Sequence, residues 1–151
     1  MKRQIYLDHA YKIADLIWQD YDALRHRAIE EGKAALRDQG RLQNTFQFVG
    51  TVAPAEARRY QQTEDVRYLD RTKRYLLDVY DVYHTLKTYQ EAQNITIQNA
   101  DFPTLGWMFE PEPYISAYNE IKEIADFTDE ETAHIENVVD LAMRPIEMMP
   151  E

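Results

Sequence analysis

Apolar residues recur at helical spacing along most of this chain. Between Arg3 and Gln39 the series Tyr6, Ala10, Ile13, Ile17, Tyr21, Leu24, Ala28 and Ala35 keeps the three-to-four-residue period of a helix with one buried side. It predicts one long amphipathic helix. Leu7, Tyr11, Ala14 and Trp18 widen the stripe in its first half, which predicts more than one neighbour there. Gly32 reads as a weak point and Gly40 as the end, since glycine takes the left-handed terminal conformation without a side-chain clash.

The clearest pattern lies in the middle. Tyr68, Tyr75, Val82 and Tyr89 stand seven apart, interleaved with Thr72, Val79 and Leu86, in the manner of a coiled-coil seam. Leu69, Leu76 and Tyr83 make an adjoining stripe with Tyr80 beside it, so this helix is expected to be covered on two sides and to lie centrally. It is expected to start near Ala53-Pro54, to break around Thr63 and to run to about Ala92. Asp70 with Arg74, and Asp78 with Asp81, are placed on its solvent face.

Two short runs depart from this period. Residues 45–52, TFQFVGTV, and 94–98, NITIQ, are β-branched or aromatic with partial alternation, and predict a small two-stranded ribbon leaning on the helices. The segment DFPTLGWMFEPEP, residues 101–113, holds three prolines and a glycine and reads as a loop. Beyond it, Pro113 can open a helix in which Tyr114, Tyr118, Ile121 and Ala125 share a face. Thr128 and Glu131 form a capping box before a last helix, with Ile135, Val138, Val139 and Ala142 inward and an end near Arg144-Pro145. The expected fold is therefore mainly all-α, with two long helices and a shorter C-terminal helical hairpin. At 151 residues the chain has the size of a single domain.

Charge divides this domain into two parts. Residues 1–98 carry 15 Lys+Arg and 14 Asp+Glu, a balance of +1, whereas residues 99–151 carry 2 and 13, a balance of −11. The acidic end would repel nucleic acid or an anionic membrane and attract a basic protein surface. The chain has no cysteine, which removes disulfides, thiolate metal sites and a cysteine nucleophile, and fits a reducing, intracellular setting. Asp8 and His9 interrupt the amino terminus before any apolar run, so it does not read as a signal peptide.

Candidate chemistry is sparse. Asp81 with His84, and Glu131 with His134, have the carboxylate-x-x-His spacing that holds two metal ions in some helical bundles, although the first helix offers no inward glutamate. Ser116 is the only serine and has no histidine within a turn, and the four glycines are too scattered for a phosphate loop. Arg58, Arg59, Arg67, Arg71, Lys73 and Arg74 interleave with Tyr60, Tyr68 and Tyr75 as binding of a single nucleic-acid strand requires, but acidic residues intervene and the tyrosines belong to the seam. No cofactor is implied.

The remaining candidate is a docking surface. Phe102, Leu105, Trp107, Met108 and Phe109 fall within eight residues, beside Glu110 and Glu112; aromatic anchors with a charged rim are how binding hot spots are composed, and the alternative is a loop that folds back as a lid over the open end of the helices. Glu120, Glu123, Asp126 and Glu130 extend the acidic surface along the hairpin. These features predict a non-enzymatic interaction or assembly protein, an adaptor or subunit, such as one of a virion or mobile-element complex. It would bind a basic or apolar protein surface, with self-association as a further expectation. The alternatives are an acidic inhibitor that fills the nucleic-acid cleft of a basic protein, and a dimetal carboxylate bundle.

Overall fold

The computed structural model describes residues 2–40, 42, 45–96 and 111–147, with side chains placed as far as residue 143. These residues form six helices and no strand: α1 (Lys2–Gln19), α2 (Tyr21–Gln39), α3 (Phe48–Thr63), α4 (Val66–Ala92), α5 (Pro111–Ile121) and α6 (Asp129–Glu147). The protein is all-α. No helix among the described residues is long and apolar enough to cross a membrane.

The single N-terminal helix expected from the periodicity is broken at Asp20, whose backbone turns out of helical geometry at φ −106°, ψ 14°. Both pieces nevertheless follow α4 at nearly one offset. Asp15 meets Arg71, Trp18 packs edge-on to Tyr75, Tyr21 reaches Asp78 and Gly32 lies on Leu86, pairs separated by 54 to 57 residues. A constant difference of this kind means that α1 and α2 run parallel to α4 as a kinked rod. The rod continues through Gly32 and ends at Gly40, which has φ 65° and donates its N–H to the Leu36 carbonyl at 3.0 Å.

Helix α3 runs the other way. Arg59 lies over the Tyr68 ring and Glu56 faces Arg71, pairs whose numbers share one sum, as in two antiparallel helices joined by a tight turn. The joint is only Glu64-Asp65. Glu64 adopts φ 58° and closes α3 by donating to the Tyr60 carbonyl, while the Asp65 side chain accepts from the Arg67 N–H at 3.0 Å and caps α4.

No ribbon forms at 45–52. Residues 45–47 make a turn and α3 begins at Phe48, five or six residues before the expected start at Ala53-Pro54, with Pro54 inside the helix. Of the 94–98 run, Ile95 and Thr96 are not in a strand, and residues 97 and 98 lie outside the described residues. Local composition favoured extended chain at 45–52, but Phe46, Val49, Ala53, Glu56 and Ala57 are all fully buried and recur at helical spacing. Burial of that face against α4 and α5 outweighs the β preference of single residues.

The seam of α4 is central, as its pattern predicts. Thr72, Tyr75, Leu76, Val79, Val82 and Leu86 are fully buried, and α4 packs against α2, α3, α5 and α6. Asp78 corrects the expected solvent face: it is buried, and its carboxylate accepts from the Tyr21 hydroxyl at 2.8 Å with Arg25 and Arg74 each at 3.4 Å. A carboxylate is tolerated there because three groups from two helices replace the water it loses. Asp70 and Asp81 remain exposed.

Helix α5 starts at Pro111, and Tyr114, Ile121 and Ala125 are buried from it and the turn that follows. The Tyr114 hydroxyl donates to the Leu76 carbonyl at 2.9 Å, pinning α5 to α4. The capping box forms: the Glu131 N–H donates to Thr128 Oγ1 at 3.1 Å and the Thr128 N–H to Glu131 Oε1 at 3.0 Å. Ile135, Val138 and Ala142 face inward, with Val139 partly covered. The last helix runs on past the expected stop to Glu147, since a proline forfeits its own N–H bond without having to end the helix.

Candidate functional site

Helices α5 and α6 pack antiparallel as a hairpin, and the surface between them is concave. Two adjoining hollows of about 390 and 360 Å³ share Ile115 and Met143, the first also touching Pro111 and Glu112, the second Tyr118, Asn119, Glu136, Val139 and Asp140. The floor is therefore apolar and the edges carry carboxylates. This follows from spacing: Ile115 and Tyr118 on α5, and Val139 and Met143 on α6, sit beside the inward rows and are only half buried by their own helices.

Acidic residues continue around the hairpin. Glu112, Glu123, Asp126 and Glu130 are exposed, as are Asp129 and Glu136, while Glu120 is half buried with its Oε2 unpartnered among the described residues. The only described cations against this surface are Lys122 and, from α4, Lys73, whose ammonium donates to the Asp126 carbonyl at 2.8 Å and lies 3.4 Å from Glu131. Phe102, Leu105, Trp107, Met108, Phe109 and Glu110 lie outside the described residues.

Among the described residues, the paired carboxylate-x-x-His spacings come together at Tyr80, which both histidines touch. Tyr80 of α4 stacks on His134 with ring centroids 3.8 Å apart and lies 4.1 Å from His84. Burial, then the nearby Lys87 and His134 charges, push the His84 proton affinity below its ordinary value. The carboxylates turn elsewhere, Glu131 to its capping box and Lys73, Asp81 to solvent. Among the described residues no group of three or more His, Asp or Glu is arranged to hold a metal ion.

Most of the basic run on α3 and α4 is accounted for internally, with Arg58 left exposed. Arg59 and Arg71 both donate to Asp15, at 2.8 and 2.7 Å, and Arg71 stands 3.5 Å from the fully buried Glu56. Their guanidinium groups lie over Tyr68, and Arg71 also covers Trp18. Arg74 pairs with Asp22 and Asp78 and lies over Tyr21. Burial opposes ionisation of Asp15, but hydrogen bonds from Arg71 and Arg59 hold its carboxyl below the usual range. Burial dominates at Glu56, whose carboxyl is pushed up to about 7 and whose Oε2 is unpartnered among the described residues. These charges rivet α1 to the α3–α4 pair.

Sequence reading identified the acidic hairpin but not its groove, nor the Asp15, Arg59, Arg71 and Glu56 cluster. The half-exposed apolar residues Ile115, Val139 and Met143 were the available signal, but their convergence depends on how two helices pair. Comparison with protein-family models, curated proteins and solved structures finds no match to this chain.

Proposed function

We propose that this chain is a non-enzymatic interaction or assembly protein that binds an amphipathic, basic-flanked segment of a protein partner along the α5–α6 groove. The observation that carries this reading is the pairing of an apolar floor, Ile115, Tyr118, Val139 and Met143, with the carboxylates Glu112, Glu136 and Asp140 at its edge. Such a groove matches the helix-in-groove mode of recognition, in which apolar anchors fill the floor and edge charges select orientation. The aromatic residues Phe102 to Phe109 run directly into Pro111 in the sequence, and belong to the same proposed surface.

The test uses a designed helical peptide with leucines on one face and lysines flanking them, and a second peptide with glutamates in place of the lysines. Fluorescence anisotropy should show binding of the lysine peptide alone, lost on Ile115→Lys with Met143→Lys and weakened by Trp107→Ala with Phe109→Ala. Equal binding of both peptides, or of neither, overturns the reading.

A second reading, an acidic inhibitor of a nucleic-acid-binding protein, is favoured by the exposed carboxylates of Glu123, Asp126, Asp129 and Glu130 at the hairpin turn. Steep loss of binding with added salt that is indifferent to the groove variants would select it.

A further inference from the structure

Helix α1 carries two apolar faces, and only one of them packs against the described helices. Ala14, Trp18 and Tyr11 face α3 and α4, and Tyr11 reaches Gln62 at 2.8 Å. On the opposite side Ile5, Tyr6, Ile13 and Leu16 are exposed by 68, 72, 38 and 61%, four of the six large apolar residues exposed among the described ones. At 3.6 residues per turn, Ile5, Leu16, His9, Ile13 and Tyr6 span about 100° of the helix, a continuous stripe. The widened stripe predicted more than one neighbour, and among the described residues no helix covers this side.

We infer that this face pairs with the same face of a second copy, the two α1 helices crossing antiparallel about a two-fold axis near residue 10. The pattern is self-complementary only in that arrangement. Reversing one helix about residue 10 brings Leu16 of the second copy within one residue of the position opposite Ile5, and its Ile13 within one residue of that opposite Tyr6, each pair occurring twice by symmetry. Antiparallel packing also brings like flanks together, so Asp8 meets Lys12 of the other copy. Both are exposed. Asp8 accepts only a hydrogen bond from Gln4, and Lys12 makes no ion pair among the described residues. Lys2, at one end of the stripe, falls opposite Asp20, just beyond its other end. A parallel pair would instead set the Asp8 and Lys12 flank against Tyr6 and Ile13.

Size sets the strength. Four side chains on one helix make a contact smaller than the roughly 1,200–2,000 Å² of stable complexes, so the dimer is weak and concentration-dependent. This pairing does not depend on the α5–α6 groove.

Sedimentation equilibrium of the full chain, from low micromolar to near-millimolar concentration, is the test. A monomer–dimer equilibrium is expected. Ile5→Glu with Leu16→Glu should leave a monomer throughout, with circular dichroism and melting in dilute solution unchanged because neither side chain supports the core. Asp8→Lys or Lys12→Asp alone should weaken association roughly five- to tenfold, since two pairs change at once, and the exchange Asp8→Lys with Lys12→Asp should restore it. A wild-type chain that is monomeric at every concentration overturns the inference, including one that floats with phosphatidylserine vesicles through the same residues. So does a dimer indifferent to Ile5 and Leu16, or an exchange variant that fails to recover.

Discussion

Gly32 on α2 lies directly against Leu86 on α4: a β-carbon added at Gly32 would stand 2.7 Å and 2.8 Å from the two Leu86 methyl groups and 3.3 Å from Leu86 Cγ. Leu86 is fully buried, so its side chain has little room to retreat. The glycine that looked like a flaw in a helical pattern is a point where α4 leaves α2 no room for a side chain.

Gly32→Ala should therefore destabilise the protein by about 1 kcal/mol, because overpacking of roughly 1–3 kcal/mol exceeds the gain of about 1 kcal/mol in helix propensity. Leu86→Ala alone should cost about 2–5 kcal/mol. Urea denaturation of the double variant should show less than the sum of the two losses, since the new methyl group occupies space the leucine vacates.

Glu56 gives stability a distinctive pH dependence. Its folded-state pKa of about 7 stands above the ordinary 4.5, so the folded protein keeps a proton that the unfolded chain releases in this window. Its contribution is most favourable below the window and declines as pH rises through it. His84, shifted down, works in the opposite sense, losing stability as pH falls through the ordinary histidine range. Subtracting the unfolding free energies of Glu56→Gln from those of the wild type removes the other groups. That difference should fall steadily between about pH 5 and pH 8, and a flat difference would show that Glu56 is ionised throughout.

Two tyrosine hydroxyls in one core should respond oppositely to removal. Tyr21 donates to the buried Asp78, and Tyr21→Phe should cost about 1.5–3 kcal/mol, because a carboxylate loses a close donor. The Tyr75 hydroxyl is buried and unpartnered among the described residues, so Tyr75→Phe should be neutral or stabilising by up to about 1 kcal/mol. Chemical denaturation of both variants checks the contrast.

Thr128→Ala should destabilise the protein by about 1 kcal/mol by removing the acceptor for the Glu131 N–H. Glu131 should keep most of its depressed proton affinity, because the backbone N–H at position 128 that is its first cause survives the substitution, and carboxyl NMR titration can check this.

Much of this architecture was legible because it is local. The α4 seam, the Thr128 capping box, the Gly40 terminus and the break after Thr63 are written in spacings of three, four and seven, or in single residues whose backbone preferences are strong. The failures were non-local. Asp78 looked exposed because its stabilising partners, Tyr21 and Arg25, arrive from another helix. Residues 45–52 looked extended until burial of Phe46, Val49 and Ala53 was known. The groove needed the pairing of α5 with α6, and the unused face of α1 could be recognised only once its other face had found its partners.

The two-residue joint between α3 and α4 bears on the order in which the chain assembles. Closing so short a connection costs little entropy, so these two helices are expected to zip first and to present the arginines that later catch Asp15. Pulse-labelled amides in α3 and α4 should gain protection before those of α1, leaving the first segment of the chain as the last to settle during refolding.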